Sequence, residues 1–256
     1  MINKHRYSIA RDRSNKMIDK DDTIDKVLTD RFIEIILEQK KTFKNVLVIG
    51  DRNDYTFQKL NQIGLNNVSQ INISNKKNYS KDLYLLPYNE QIEDLDTYDL
   101  IINLSLVNFL IDIPGFLKQL KNLLSKDGLL LINFFSENNI VELKELFSSV
   151  ELGIHNGISQ RFMPIVDIRE IGDLINNIGF SDTVISREYL NYLYSSFNEM
   201  ISHLRLMVCT NFLDIKNNKF INKYFMNKLI IFFEKNKVNN KFKLGFDILI
   251  ISSWKK

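Results

Sequence analysis

Small and polar residues end several apolar runs of the chain, at positions where a parallel sheet would hold a ligand. The run Val46–Ile49 is followed by Gly50 and Asp51, with Asn53 in the same loop. Because glycine lets the backbone approach a ligand closely, this loop could cradle a dinucleotide or an adenosyl group. An ordinary strand-to-helix turn would have the same sequence, since several glycines usually mark such a site.

Further polar positions could complete the same site. The next apolar run ends in Asn72-Ile73, and the Asn72 amide can bond a ribose hydroxyl, more weakly than a carboxylate would. Asp82, before Leu83, could accept a hydrogen bond from an adenine amino group, and Leu104 ends another apolar run. The predicted cofactor-binding residues are Gly50, Asp51, Asn53, Asn72, Ile73, Asp82, Leu83 and Leu104.

No other pattern predicts a reaction centre. The histidines His5, His155 and His203 lie far apart, so no metal-binding spacing is present and no metal is expected. The single cysteine, Cys209, lies in an apolar helical stretch and is interpreted as a core thiol. The sequence contains no nucleophile elbow, Walker loop or HExxH motif, and the catalytic residue stays unknown.

Alternating strand and helix patterns predict the element order. Predicted helices span 22–38, 54–63, 112–124, 167–178, 196–208 and 219–234; predicted strands span 45–50, 68–73, 98–104, 129–134 and 244–254, with a strand or loop at 82–87 and a strand start at 184–185. Residues 125–128 are expected to form a turn. The pattern predicts an α/β, Rossmann-like, doubly wound and mostly parallel sheet with C-terminal helical insertions.

We expect one domain over residues 1–256, with a loosely held leader at 1–20, a Rossmann core at 21–150 and substrate-side helices with the final strands at 151–256. The net charge of +3 is spread along the chain, which gives no case for nucleic-acid binding. The apolar runs are too short to span a bilayer, and the N-terminus has no secretion signal. The expected location is a bacterial cytoplasm or a mitochondrial matrix.

Five segments resemble, in chain order, parts of class I methyltransferases. Val46–Gly50 resembles the glycine loop, Asn72 the ribose-binding strand end and Asp82–Pro87 the segment with the adenine-binding acid. Tyr98–Ile102 resembles the fourth strand and Lys126–Gly128 the fifth-strand turn. This resemblance implies S-adenosylmethionine as the cofactor.

Later segments are similar to the complex I assembly factor 5 family, which is related to the malonyl-carrier-protein O-methyltransferases of biotin synthesis. The segments are Asp99–Ile102 through Asp112–Gly115, Gly157–Arg161 with Pro164, Arg169, Gly172, Leu174 and Gly179-Phe180, Leu204-Arg205 with Met207 and Asn211, and Phe246–Trp254. The resemblance implies a factor that modifies a protein substrate, a subunit of respiratory complex I, by methylation or by the arginine hydroxylation of that family.

Three departures from the family pattern leave two further functions open. The glycine-rich loop is reduced to Gly50, the ribose-binding acid is Asn72, and the His-Trp pair after the fourth strand is Asn108-Phe109. One such function is that of a non-catalytic assembly chaperone on the same fold. The second is that of a malonyl-carrier-protein O-methyltransferase.

Overall fold

A computed structural model describes residues 3–17, 24–52, 54–72, 83–85, 91–92, 96–163, 167–210 and 221–256, with only the backbone described at 15–17, 72, 83–85 and 106. The helices are α1 (Lys4–Met17), α2 (Ile24–Glu38), α3 (Tyr55–Gln62), α4 (Ile113–Leu123), α5 (Val141–His155), α6 (Ile168–Ile178), α7 (Phe197–Leu206) and α8 (Lys223–Lys235), with a short 3₁₀ helix at Leu106–Phe109. The strands are β1 (Val46–Ile49), β2 (Val68–Asn72), β3 (Leu83–Leu85), β4 (Tyr98–Asn103), β5 (Leu124–Phe135), β6 (Ser181–Tyr194) and β7 (Phe242–Lys255).

Seven strands within the described ranges form one sheet in the order β3-β2-β1-β4-β5-β7-β6. The first five strands run parallel, whereas β7 pairs antiparallel with both β5 and β6. The sheet therefore confirms the predicted mostly parallel topology. It differs from the dinucleotide-binding order 3-2-1-4-5-6 because a reversed strand lies between β5 and β6.

Helices cover both faces of this sheet, which makes it doubly wound. Alternate residues of β1 point to opposite faces: Val46 and Val48 pack in one apolar cluster, Leu47 and Ile49 in the other. The first cluster takes the apolar sides of α2, α5, α7 and α8, and the second takes those of α4 and α6. Burial on both faces explains why the central strands are continuous apolar runs in the sequence.

Residues 4–17 differ from the expected loose leader, because they form helix α1 and pack on the domain. Its Tyr7 and Arg11 are 2% exposed and Ser14 is fully buried. This packing could not be predicted from the sequence. Polar groups make many of the contacts of α1, so the helix has no strong apolar stripe. Tyr7 stacks on Phe109 with ring centroids 4.6 Å apart.

Three other elements differ from the predicted pattern. Helix α5 has no counterpart among the predicted elements. Strand β6 extends far beyond its expected start at 184–185, pairing with β7 along almost its whole length. Residues 125–128 lie within β5, where Asp127 has a φ of 57° and the register against β4 shifts. Residues 125–128 of β5 therefore lie opposite the single residue Asp99 of β4, an irregularity larger than a one-residue bulge, at the place of the predicted turn.

Candidate functional site

The carboxyl ends of β2, β1 and β4 lie side by side and form the predicted ligand edge. The Gly50 amide donates to the Ile71 carbonyl at 2.9 Å, and the Leu104 amide donates to the Ile49 carbonyl at 2.8 Å. Gly50 has a φ of 95°, a conformation that side chains with a Cβ rarely adopt. The structure therefore brings Gly50, Asn72 and Leu104 to one edge, as the sequence predicts.

Asp51 is oriented toward the protein at this edge. Its side chain is buried, and its Oδ2 accepts a hydrogen bond from the Phe57 amide at 3.3 Å, in the first turn of α3. A carboxylate at a helix N-terminus compensates unpaired amides and the positive end of the helix dipole. Asp51 thus stabilises the loop that follows β1.

The other predicted residues have different outcomes. Asn53, Ile73 and Asp82 lie outside the described residues, and only the backbone of Asn72 and Leu83 is described. Leu104 is fully buried within an apolar cluster. Its side chain therefore packs in the core, and its position marks the edge without offering a group to a ligand.

Asn103 is a polar group at this edge that was not among the predicted site residues. It ends β4 and pairs in register with Ile49, directly before Gly50. The side chain is fully buried, and neither its Nδ2 nor its Oδ1 finds a hydrogen-bond partner anywhere in the described chain. The signal was a polar residue at the end of an apolar strand, Ile101-Ile102-Asn103. Buried side-chain amides in folded proteins nearly always have a hydrogen-bond partner, and a ligand or an ordered water at this edge could supply it.

One arginine of α1 and one arginine within the loop after β1 fix that loop. Arg11 of α1 donates from Nη2 to the Gly50 carbonyl at 2.6 Å. Arg52 donates from Nε to Asp25 Oδ2 at 2.6 Å, and from Nη1 to Leu206 O at 2.9 Å. Helices α1, α2 and α7 therefore converge on the glycine loop.

A cavity of about 780 Å³ lies next to this edge, toward the ends of β4 and β5. Phenylalanines make up much of its wall: Phe109, Phe134, Phe135, Phe147, Phe162 and Phe197. Its basic lining residues are Arg13, Lys144, Arg161 and Arg205, and the described lining contains no Asp or Glu. Asn108 also faces this cavity. Its Oδ1 accepts from the Phe135 amide at 2.8 Å.

A buried ion pair closes one wall of the cavity. Arg161 Nε donates to Glu151 Oε1 at 2.7 Å, and the Ser159 amide donates to Glu151 Oε2 at 2.7 Å. Burial opposes ionisation of Glu151, but these hydrogen bonds and the Arg161 charge outweigh it and hold the pKa of Glu151 below its ordinary value. The pair therefore fixes the loop after α5 against the helix.

The remaining candidate groups have structural surroundings. His203 Nδ1 lies 2.6 Å from the Tyr194 hydroxyl, so this imidazole is engaged within the fold. Cys209 lines the cavity, and burial raises the pKa of its thiol to about 12. Among the residues that the structure describes, no three His, Cys, Asp or Glu side chains gather as metal ligands. Nor does any described helix have the length and hydropathy needed to cross a bilayer.

Solved structures share this architecture. The YcgJ protein of Bacillus subtilis superposes with a TM-score of 0.54 at 11% identity, over 90% of this chain and 98% of that one. A candidate methyltransferase from Bacillus halodurans C-125 gives a TM-score of 0.54 at 10% identity, over 88% and 97% of the two chains. These likenesses show the fold.

Sequence similarity points in the same direction. The mitochondrial arginine-hydroxylase NDUFAF5 of Dictyostelium discoideum is 26% identical over 64% of this chain and 38% of its own length. A malonyl-[acyl-carrier protein] O-methyltransferase of Gallionella capsiferriformans is 24% identical over 56% of this chain and 48% of its own. The chain has the class I methyltransferase fold and is related to that superfamily.

The relationship to class I methyltransferases is distant and partial. No family model matches the chain. Human NDUFAF5 is 22% identical over 69% of this chain and 53% of its own length, so the chain spans about half the length of such curated relatives. Within the methyltransferase fold, Gly50 and Asn103 occupy the carboxyl edge and the cavity lies beside them.

Proposed function

We propose that the protein is an S-adenosylmethionine-dependent methyltransferase. The single observation that carries the proposal is Asn103, a buried and unpartnered carboxamide at the carboxyl edge of a methyltransferase sheet. When bound, S-adenosylmethionine supplies an electrophilic methyl group. Gly50 would let the backbone approach this cofactor, and Asn103 would orient it by hydrogen bonds.

Energetics supports a ligand at this position. A buried amide without partners costs about 1–3 kcal/mol of folding stability. A leucine of similar volume would avoid that cost, so an apolar residue here would suit the unliganded fold better. A cofactor offers both donors and acceptors, and it would satisfy Nδ2 and Oδ1 together. Asn103 therefore fits a polar cofactor at this edge.

Calorimetric titration with S-adenosylhomocysteine tests the proposal. The wild-type protein should bind, and Asn103→Leu should bind at least about 10-fold more weakly while unfolding at an equal or higher temperature. The matched control is Asn66→Leu, at an exposed asparagine outside the site, which should bind like the wild type. Absence of heat from folded wild-type protein at millimolar ligand would refute the proposal.

A protein substrate is a second candidate, with a subunit of respiratory complex I as the target. Its support is the similarity to several arginine-hydroxylases named NDUFAF5. The basic cavity lining disfavours an arginine side chain as the acceptor, because like charges repel in a desolvated site. Mass spectrometry of complex I subunits, after incubation with the protein and labelled S-adenosylmethionine, would detect the transferred methyl group.

Two further functions on this fold make different experimental predictions. A malonyl-carrier-protein O-methyltransferase is supported by the bacterial relatives of that name and would use the basic lining for the malonyl carboxylate. A non-catalytic chaperone is supported by Gly50, Asn72 and Asn108, which stand where the resemblance places residues that carry the chemistry. Labelled methyl transfer to malonyl carrier protein identifies the first. The second predicts no binding of S-adenosylhomocysteine, together with assembly activity that survives in the folded protein without the cofactor. Either methyltransferase would act in a bacterial cytoplasm or a mitochondrial matrix.

A further inference from the structure

The cavity beside the cofactor edge has an uneven charge distribution. Arg13, Lys144, Arg161 and Arg205 line it, and no carboxylate does so among the described residues. Unbalanced positive charge next to an apolar cavity attracts anions, because the low-dielectric walls strengthen the field. The identity of the bound molecule therefore depends on which of these cations are available.

Two of the four cations have partners within the protein. Arg161 is neutralised by Glu151 at 2.7 Å, and both side chains are buried. Lys144 Nζ donates to the Glu137 carbonyl at 3.1 Å, and burial lowers its pKa. These two groups shape the wall of the cavity.

The other two cations face the cavity without a partner. Arg13 of α1 and Arg205 of α7 are exposed, and neither has a side-chain hydrogen bond or ion pair within the described part of the chain. Ser14 Oγ donates to the Leu206 carbonyl, so the two arginines precede residues that are in direct contact. They therefore lie on adjacent helices at the same side of the cavity.

The rest of the lining is suited to an apolar body. Phe135, Phe147, Phe162, Phe197 and Met226 contribute aromatic and thioether surface. The volume of about 780 Å³ falls in the range typical of pockets for organic ligands. A small, fully hydrated anion would leave this apolar surface unused.

We propose that the cavity binds an amphipathic carboxylate, whose apolar chain lies among the phenylalanines and whose anion pairs with Arg13 and Arg205. As the substrate class of the enzyme, this inference rests on the proposed methyltransferase function. As a binding site, it stands on the cavity and its charges alone. Guanidinium groups suit a carboxylate because they donate two parallel hydrogen bonds.

Calorimetry with three probes of equal chain length tests the charge preference. Dodecanoate, 1-dodecanol and dodecyltrimethylammonium are titrated separately. The two ionic probes are kept below their critical micelle concentrations and the alcohol below its solubility limit. Dodecanoate should bind at least about 10-fold more tightly than 1-dodecanol, because only the carboxylate forms a charge-assisted hydrogen bond with an arginine. The cationic probe should bind most weakly. Equal affinity for dodecanoate and dodecyltrimethylammonium would overturn the proposal.

Variants locate the anion. The double variant Arg13→Gln with Arg205→Gln should weaken dodecanoate roughly 10-fold and leave 1-dodecanol unchanged. The matched control is Arg169→Gln, an exposed arginine of α6 outside the cavity lining, which should change neither affinity. Unchanged dodecanoate binding by the folded double variant would exclude the assigned arginines.

The same samples separate the two proposals. Dodecanoate binding with no S-adenosylhomocysteine binding keeps the cavity assignment and rejects the methyltransferase function. Binding of S-adenosylhomocysteine with no charge preference among the probes rejects the substrate class alone.

Discussion

Arg52 and Asp25 form a buried ion pair between the loop after β1 and helix α2, with Nη2 and Oδ2 2.5 Å apart and both side chains at most 6% exposed. Arg52 also donates to Ser14 Oγ at 2.9 Å. With its bond to the Leu206 carbonyl, one guanidinium thus holds helices α1, α2 and α7 to the glycine loop. Its removal would leave a buried carboxylate without its countercharge.

We therefore expect Arg52→Met to lower the free energy of unfolding by about 3–5 kcal/mol, measured by urea denaturation. Asp25→Asn combined with Arg52→Met should recover part of this loss, because no charge is then buried alone. Arg31→Met is the control, since Arg31 forms exposed pairs with Glu34 and Glu188. It should cost less than about 1 kcal/mol. Equal costs for Arg52→Met and Arg31→Met would contradict the prediction.

Arg11 connects α1 to the glycine loop through the Gly50 carbonyl. Arg11→Met should destabilise the protein by about 2 kcal/mol, because a buried carbonyl loses a charged donor. Arg6→Met, at an exposed position of the same helix, should have an effect within about 0.5 kcal/mol. Urea denaturation of both variants measures the difference, and a tolerated Arg11→Met would show that this hydrogen bond contributes little.

Glu151 gives the stability a defined dependence on pH. Its folded pKa lies below the ordinary 4.5, so the folded protein binds fewer protons than the unfolded chain in that range. The stabilisation is present above the unfolded pKa and is lost as the pH falls through the lowered folded pKa. Glu151→Gln should cost about 3 kcal/mol at pH 7, where Arg161 loses its countercharge.

Thermal unfolding from pH 7 to pH 3 measures this dependence. The difference between the wild type and Glu151→Gln should shrink on acidification. Glu145→Gln, an exposed position on the same helix, serves as the control. A difference that is constant with pH would assign the loss to packing rather than to charge.

Cys209 should be unreactive in the folded protein although it lines the cavity. Burial raises the pKa of its thiol from 9.0 to about 12, which reduces the thiolate fraction at pH 8 by about three orders of magnitude. Iodoacetamide should therefore alkylate the native protein at least about 100-fold more slowly than the urea-unfolded protein. Mass spectrometry over time gives both rates, and similar rates would show an accessible thiolate.

The sequence predicted the central sheet because β1 and β4 are continuous apolar runs, which only a strand buried on both faces explains. It did not predict α1, whose contacts through Arg11 and Ser14 reach residues 39 and 192 positions away. No local pattern encodes such contacts. Periodicity places apolar side chains, whereas polar contacts between distant segments depend on the finished fold.

The candidate site was also predictable only in part. Gly50 and the strand ends were predictable, because parallel strands bring their carboxyl ends to one edge. Asn103 was missed, since its significance lies in having no partner, which only coordinates reveal. The basic lining was also missed: Arg13, Lys144, Arg161 and Arg205 come from four separate segments and meet only in three dimensions.

The hydrogen bond from Ser14 to the Leu206 carbonyl also constrains the order of folding during synthesis. It joins residues 192 positions apart, so α1 cannot complete its docking until the ribosome has produced α7. Because Arg11 of the same helix donates to the Gly50 carbonyl, the loop after β1 cannot take up its final contacts before α7 has been made either, however early its own residues are translated.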